Sequence, residues 1–384
     1  MMMTASIATK HQRRSALDAA VILIIGMGFG RFAFTAVYPH MVEEGLLSLG
    51  EGSWAASANY AGYLLGAILG IRVQAHNAHR LCLAATAGTV LCLGFLGALD
   101  SSSIVIVVRG IAGIFSSLAM VSASLWLLEH RRHARGAPML FGGVGIGIAL
   151  SAELLVLGSR AGLHSHGLWL LLAVVSLLLA LSAVPGLTAE GTDTLASTSG
   201  GARAKSTIGA WPLTAIYGLA GFGYIVTATY LPLLVKTALP DVNSAHVWAV
   251  FGLGAAPSCL LWHRVDNRMG TRKSLLINLT VQAIGVALPV VIPNAAGYLI
   301  SALLVGATFM GTVTIAMPAG QRLAKASGAN LMAKMTVVYS VGQIAGPLVA
   351  NGFYARTHSF SWSLITAAVA LVCGALISVS APKT

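Results

Sequence analysis

Gly28-Phe29-Gly30-Arg31-Phe32-Ala33-Phe34-Thr35 finds its echo in Gly221-Phe222-Gly223-Tyr224, 193 residues further along a chain of 384. Each copy sits in a long apolar stretch that runs on to a proline, Pro39 in the first and Pro232 in the second. A match at half-chain spacing points to two related halves. The chemistry of the copies diverges most at the residue after the second glycine, Arg31 against Tyr224, and that divergence is where function is expected.

Composition sets the class. Hydrophobic residues make up 57% of the chain and charged residues 9%, too little charge to cover the surface of a water-soluble fold of this size. Twelve apolar runs lie near residues 17–40, 53–71, 81–99, 102–128, 137–158, 166–185, 211–235, 244–262, 274–292, 295–317, 329–350 and 360–380. Each is about as long as a bilayer-crossing helix requires, about 20 residues. They lack the period-two alternation of porin strands, so the expected fold is an all-α membrane bundle.

The net charge of +12 acts here as a topology signal and not as a nucleic-acid footprint. With twelve spans and an inside N-terminus, only five of the 23 Lys and Arg fall away from cytoplasmic segments. Arg160, Lys236 and Arg356 lie outside, and Arg31 and Arg109 lie within the membrane. This bias predicts cytoplasmic termini. Residues 1–16 read as a basic cytoplasmic tail and not a cleaved signal, 17–186 as the first six-helix half, 187–210 as a Ser/Thr/Gly-rich flexible linker, 211–380 as the second half and 381–384 as a short cytoplasmic tail.

Cys82, Cys92, Cys259 and Cys373 sit in or beside apolar spans and read as small buried hydrophobes. His164 and His166 flank one serine near the outer surface and read as interfacial residues, not as a metal site. No nucleotide-binding loop is present, and neither a cofactor nor a metal is expected.

Six spans, a linker and six more, with an internal repeat, resemble the major facilitator superfamily, in which two six-helix halves rock about a central site. The loop His263-Arg264-Val265-Asp266-Asn267-Arg268-Met269-Gly270-Thr271-Arg272-Lys273 resembles that superfamily's cytoplasmic signature. The resemblance implies a cytoplasmic gate formed by Asp266, Arg268, Gly270, Arg272 and Lys273. At the equivalent place in the first half, Arg72 to Arg80, Val73 replaces the acid and Asn77 the glycine. Arg109-Gly110-Ile111-Ala112-Gly113 resembles the fourth-helix arginine motif, without its glutamine. Phe141 to Glu153 is a glycine-spaced run similar to the fifth-helix motif of antiporters. The octet from Gly28 to Thr35, together with Ser57-Ala58-Asn59-Tyr60-Ala61-Gly62-Tyr63-Leu64-Leu65-Gly66, resembles the bacterial YbfB/YjiJ-like branch. The resemblance implies a bacterial inner-membrane transporter.

Charges inside a membrane face a cavity or a partner. Arg31, Arg109 and Glu153 are placed by helical rise at roughly 12, 10 and 8 Å from the outer ends of their spans, and are expected to cluster. Glu153 is counted as the only acid in the spans, which makes it the candidate proton carrier. Two arginines against one acid leave a positive charge for an anionic substrate, since a guanidinium grips a carboxylate through two parallel hydrogen bonds; the alternative is a structural salt-bridge network of the three, with the substrate bound by neutral groups. Asn59 and Tyr63, Tyr217 and Tyr224, Thr308 and Thr312, and Tyr339 and Gln343 share helical faces and are expected to complete the binding site. Lys334 reads as a snorkelling interfacial residue.

The expected activity is therefore proton-coupled transport of a small organic anion, with an apolar or aromatic body, by a monomer in the lipid bilayer. A drug or metabolite exporter working as a proton antiporter is the alternative, and a non-transporting sensor of the same architecture is the alternative of another class. Enzymatic activity is not expected, because no His, Asp or Cys cluster lies within the spans.

Overall fold

The computed structural model describes residues 2–188, 208–239, 242–327 and 331–380. Most of the linker expected over 187–210, and the tail expected over 381–384, lie outside the described residues. Among those residues the chain forms twelve long helices. The first, α1, runs as α-helix Met2–Leu23, π-helix Ile24–Phe32 and α-helix Ala33–Glu43. Then come α2 (Leu49–Gly70), α3 (Ala78–Leu96), α4 (Ser102–Ser124, prolonged by a π-helical Leu125–His130), α5 (Ala137–Arg160) and α6 (Ser165–Thr188). The second half holds α7 (Ala210–Ala238), α8 (Ser244–Met269), α9 (Thr271–Val291), α10 (Ala295–Ser327), α11 (Leu331–Thr357) and α12 (Ser361–Ser380). The tail expected over 1–16 is helical from Met2 and continuous with the first span, as its Lys and Arg content permits.

Ten of the twelve are long and apolar enough to cross a membrane. The two others, α2 and α11, match them in length but carry more polar residues. They pack against each other between the halves. Their buried Ser57, Asn59 and Gln343 face protein and not lipid, which removes the need for a wholly apolar surface.

The second seam between the halves is α5 against α8, and it is closed by small residues. A Cβ on Gly145 would stand 2.2 Å from the backbone nitrogen of Ala256, and one on Gly252 would stand 2.4 Å from that of Ala149. Only hydrogen fits there, so the two backbones touch. Helix α5 uses a different stripe within its own half, where Gly147 meets Gly28 of α1 at a similar separation.

Helices α1 and α7 meet on the axis relating the halves. Thr35 Oγ1 donates to the carbonyl of Ala228 at 2.8 Å, and these two residues are 193 apart, the repeat distance itself. Lys236 pairs with Glu43, again 193 residues away. Equivalent positions can touch only where the pseudo-twofold axis passes between them.

Candidate functional site: a cavity between the halves

Arg31 sits in an unusual backbone that the second copy of the repeat, within α-helix Ala210–Ala238, does not share. Residues Ile24–Phe32 follow π-helical geometry, in which carbonyls bond five residues on and the turn is wider. Arg109 reaches across from α4 and donates Nη1 to the carbonyl of Gly30 at 2.9 Å and Nη2 to that of Arg31 at 3.0 Å. Its guanidinium carbon lies 4.5 Å from the centre of the Phe34 ring. Arg109 is 1% exposed and is not part of the cavity wall. The expectation that it contacts substrate is corrected on this geometry: its terminal nitrogens serve the backbone that carries Arg31.

Arg31 has the opposite character. It is 3% exposed, yet its Nε and Nη2 have no hydrogen-bond partner. Its guanidinium carbon stands 4.0 Å from the centre of the Tyr63 ring, 5.1 Å from that of Tyr60 and 5.2 Å from that of Phe32. Such face contacts stabilise the charge without occupying its N–H groups. Among the described residues no acid pairs with it.

Glu153 is elsewhere, and the expected cluster of Arg31, Arg109 and Glu153 does not form. Its Oε1 lies 2.8 Å from His246 Nδ1 on α8, with both side chains about half exposed. Residues 145, 149 and 153 recur at four-residue spacing, so Glu153 follows the α5 stripe that Gly145 and Ala149 turn toward α8. Asp18, the second residue of the first apolar run, is an acid the sequence reading did not count. It is 3% exposed and accepts from Arg14 Nε at 3.0 Å. Arg14 and Arg131 also donate to the carbonyls of Ser182 and Gly186, tying α6 to this corner.

Between the halves lies a cavity of about 1040 Å³. Of the residues expected to bind substrate, Arg31, Tyr63, Tyr217, Tyr224, Tyr339 and Gln343 line it. Asn59, Thr308 and Thr312 do not. Asn59 donates to the carbonyl of Arg109 at 2.9 Å, Thr308 bonds back to Leu304 within its own helix, and Thr312 donates to Asn278. These side chains bond to neighbouring helices or to their own and lie behind the wall.

The reading missed Phe309, Met27 and Met310, which also line the cavity. Met310, Val313 and Met317 follow the three- and four-residue spacing of a single α10 face, a signal indistinguishable in sequence from core packing. Phe309 belongs to a run of nearly parallel rings. It stacks on Tyr224 at 5.3 Å and 21°, Tyr224 on Tyr339 at 6.1 Å and 21°, and Tyr339 on Tyr217 at 4.4 Å and 24°. Gln343 donates Nε2 to the Tyr224 hydroxyl.

The cavity opens at one end only. Exposed Ile71, Arg135 and His263 line the mouth, at the helix ends that carry the basic loops. Beyond Arg31 the halves are sealed. The Tyr230 hydroxyl lies 2.6 Å from Ser53 Oγ and donates to the carbonyl of Pro347 at 3.1 Å, the Tyr60 hydroxyl meets Thr229 at 3.0 Å, and Ser57 donates to Ile344 at 2.9 Å. Phe34 and Tyr38 stack in the same layer, 2% and 0% exposed.

Two six-helix halves around a central, one-sided cavity is the architecture the repeat predicts. The family profile described as "Uncharacterised MFS-type transporter YbfB" matches residues 23–379, nearly the whole chain. The chain belongs to this family of the major facilitator superfamily. It is a multi-pass membrane transporter. No curated protein matches it.

The superfamily's signature loop takes a defined form here. Gly270, at φ +78°, makes the turn between α8 and α9, a conformation glycine adopts without strain. Arg272 donates to the last carbonyls of α12, Ser378 at 3.0 Å and Val379 at 2.6 Å. Asp266 faces Thr271, which in turn accepts from Arg322 of α10 at 3.2 Å. Asp266 and Arg272 thus join α8, α9, α10 and α12, while Arg268 and Lys273 are exposed.

At the sealed end, His164 and His166 each face a different acid. His164 lies 3.5 Å from Glu44 and His166 lies 3.3 Å from Asp100, an arrangement that ties α6 to neighbouring loops.

Proposed function

We propose that this transporter is a proton-coupled secondary carrier that moves a small organic anion across the bacterial inner membrane by rocker-switch alternating access, with Arg31 as the anion-binding group. The observation that carries the reading is the buried guanidinium of Arg31, with Nε and Nη2 unpartnered at the blind end of the cavity. A buried cation without a counter-ion is costly to hold, and an arriving anion relieves that cost. The positive-inside bias assigns the basic loops to the cytoplasm, so the cavity corresponds to an inward-open state.

Proton coupling is assigned to Glu153, acting at the seam between the halves and not beside the substrate. Its pairing with His246 joins α5 to α8, so a proton at this pair alters the contact that must slide during the cycle.

A second reading, a proton antiporter exporting apolar drugs or metabolites, is favoured by the methionines of the wall, Met27, Met310, Met317 and Met332. Methionine adapts to ligands of varied shape. Thermal stabilisation of purified wild type and Arg31→Ala by carboxylates, cations and neutral drugs separates the two, because a ligand of the folded state raises its melting temperature. Carboxylate stabilisation that vanishes in Arg31→Ala supports the anion carrier. Equal stabilisation of both proteins by cations or neutral compounds supports the exporter.

A further inference from the structure

Resting on the anion-carrier reading, the geometry points to a narrower ligand class: a flat aromatic monocarboxylate, gripped by the side of the Arg31 guanidinium, with its ring against the wall of Tyr217, Tyr224, Phe309 and Tyr339.

The two free donors decide the head group. Nε and Nη2 carry parallel N–H bonds along one edge of the guanidinium; that edge is buried and unpartnered in this state, and once the rings packed around it part, it can take both oxygens of a carboxylate at once. The number of charges follows from the arginines. Arg109 commits both terminal nitrogens to backbone carbonyls and stands behind the wall, so among the described residues Arg31 is the cation that lines the blind end with two unpartnered donors on one edge. A second negative charge on the ligand would be buried among Met27, Met310 and aromatic rings without a partner.

The body follows from the wall. A carboxylate held edge-on lies in the plane of the guanidinium, and in an aryl carboxylate the ring conjugates with that plane. The ligand then extends the flat guanidinium that already lies 4.0 Å from the centre of Tyr63. Beyond it, Phe309, Tyr224, Tyr339 and Tyr217 form one near-parallel series, with successive rings tilted by 21°, 21° and 24°. Rings prefer other rings in offset or edge-to-face contact over saturated groups of equal area. A cavity of about 1040 Å³ accommodates a two-ring acid with space to leave.

The test compares 2-naphthoate with decahydro-2-naphthoate, 2-naphthamide and naphthalene-2,6-dicarboxylate. Each is titrated into detergent-purified wild type, Phe309→Leu and Tyr224→Leu, with affinity read by calorimetry. The expected result is 2-naphthoate binding about tenfold more tightly than its saturated counterpart, the scale of one to two ring contacts. That preference collapses in Phe309→Leu, and the dicarboxylate and amide bind more weakly than 2-naphthoate. Should Tyr224→Leu not fold, the wild-type comparison and Phe309→Leu decide. Equal binding of 2-naphthoate and the saturated acid, or a preference that survives in Phe309→Leu, overturns the aromatic assignment and leaves the anion carrier standing. Tighter binding of the dicarboxylate overturns the single-charge assignment alone. Amide binding equal to the acid's removes the anion carrier itself, and failure of all four to bind overturns the proposed class.

Discussion

Arg109 holds the carbonyl of Arg31, and through that bond one buried arginine supports the turn that presents another to the cavity. Two charges that look alike in sequence are therefore expected to have opposite effects on stability. Replacing Arg109 with glutamine leaves the carbonyls of Gly30 and Arg31 short of charged donors, each bond worth about 1.5–3 kcal/mol. The expected result is a lower melting temperature for Arg109→Gln. Arg31→Met removes an unpartnered buried charge and should melt at or above the wild-type temperature while losing anion binding. A destabilised Arg31→Met with a wild-type-like Arg109→Gln would reverse the two roles.

The α5–α8 seam admits no side chain. With 2.4 Å between a Cβ on Gly252 and the Ala149 nitrogen, Gly252→Val must drive two backbones apart. Overpacking of this kind costs about 1–3 kcal/mol. Transport in proteoliposomes should fall at least as steeply as stability, because the proposed rocking of the halves requires this seam to slide. Full transport by Gly252→Val would mean that the helices separate freely there.

One phenol bridges the two halves at the sealed end. The Tyr230 hydroxyl bridges Ser53 on α2 and the Pro347 carbonyl on α11. Tyr230→Phe removes both bonds, each worth about 1 kcal/mol, and should shift the population toward the outward-facing state. A cysteine introduced at Ser57 should then react faster with a membrane-impermeant thiol reagent from outside. Unchanged labelling would show that the remaining contacts suffice for closure.

Glu153→Gln keeps the size of the side chain and removes its charge. If Glu153 carries the coupling proton, the variant should still exchange substrate down its gradient but no longer accumulate it under an imposed pH difference. Uphill accumulation equal to wild type would remove Glu153 from the coupling path. His246→Ala should produce a milder version of the same defect, since it strips the partner at 2.8 Å but leaves the acid.

Much of the architecture was legible because hydrophobic length and a repeated Gly-Phe-Gly need no tertiary information. The cavity-facing tyrosines and Gln343 were legible for a related reason: polar groups at helical spacing inside a membrane have to face protein or a cavity. The roles of Arg109 and Glu153 were not. Whether an intramembrane arginine meets a ligand or a carbonyl depends on the π-helical widening of a different helix, which leaves no mark at position 109. Glu153 lies on the same helix as Gly147, but its face is set by which small residues permit close approach, a property of pairs of helices. Asp18 was overlooked because it opens an apolar run that its neighbours dominate. Phe309, one residue beyond Thr308, is turned about 100° from it on the helix and so lies on the neighbouring face, which the threonines did not point to.

At the axis, Thr35 and Ala228 are one position seen twice, and so are Glu43 and Lys236. If both halves had kept the same residue there, glutamate would face glutamate or lysine would face lysine, and the sealed end would repel itself. The salt link exists only because the copies are no longer interchangeable. It is a lock whose two parts occupy one position of the repeat, and it makes the closure of this end a property of the asymmetric pair that neither half, duplicated, would possess.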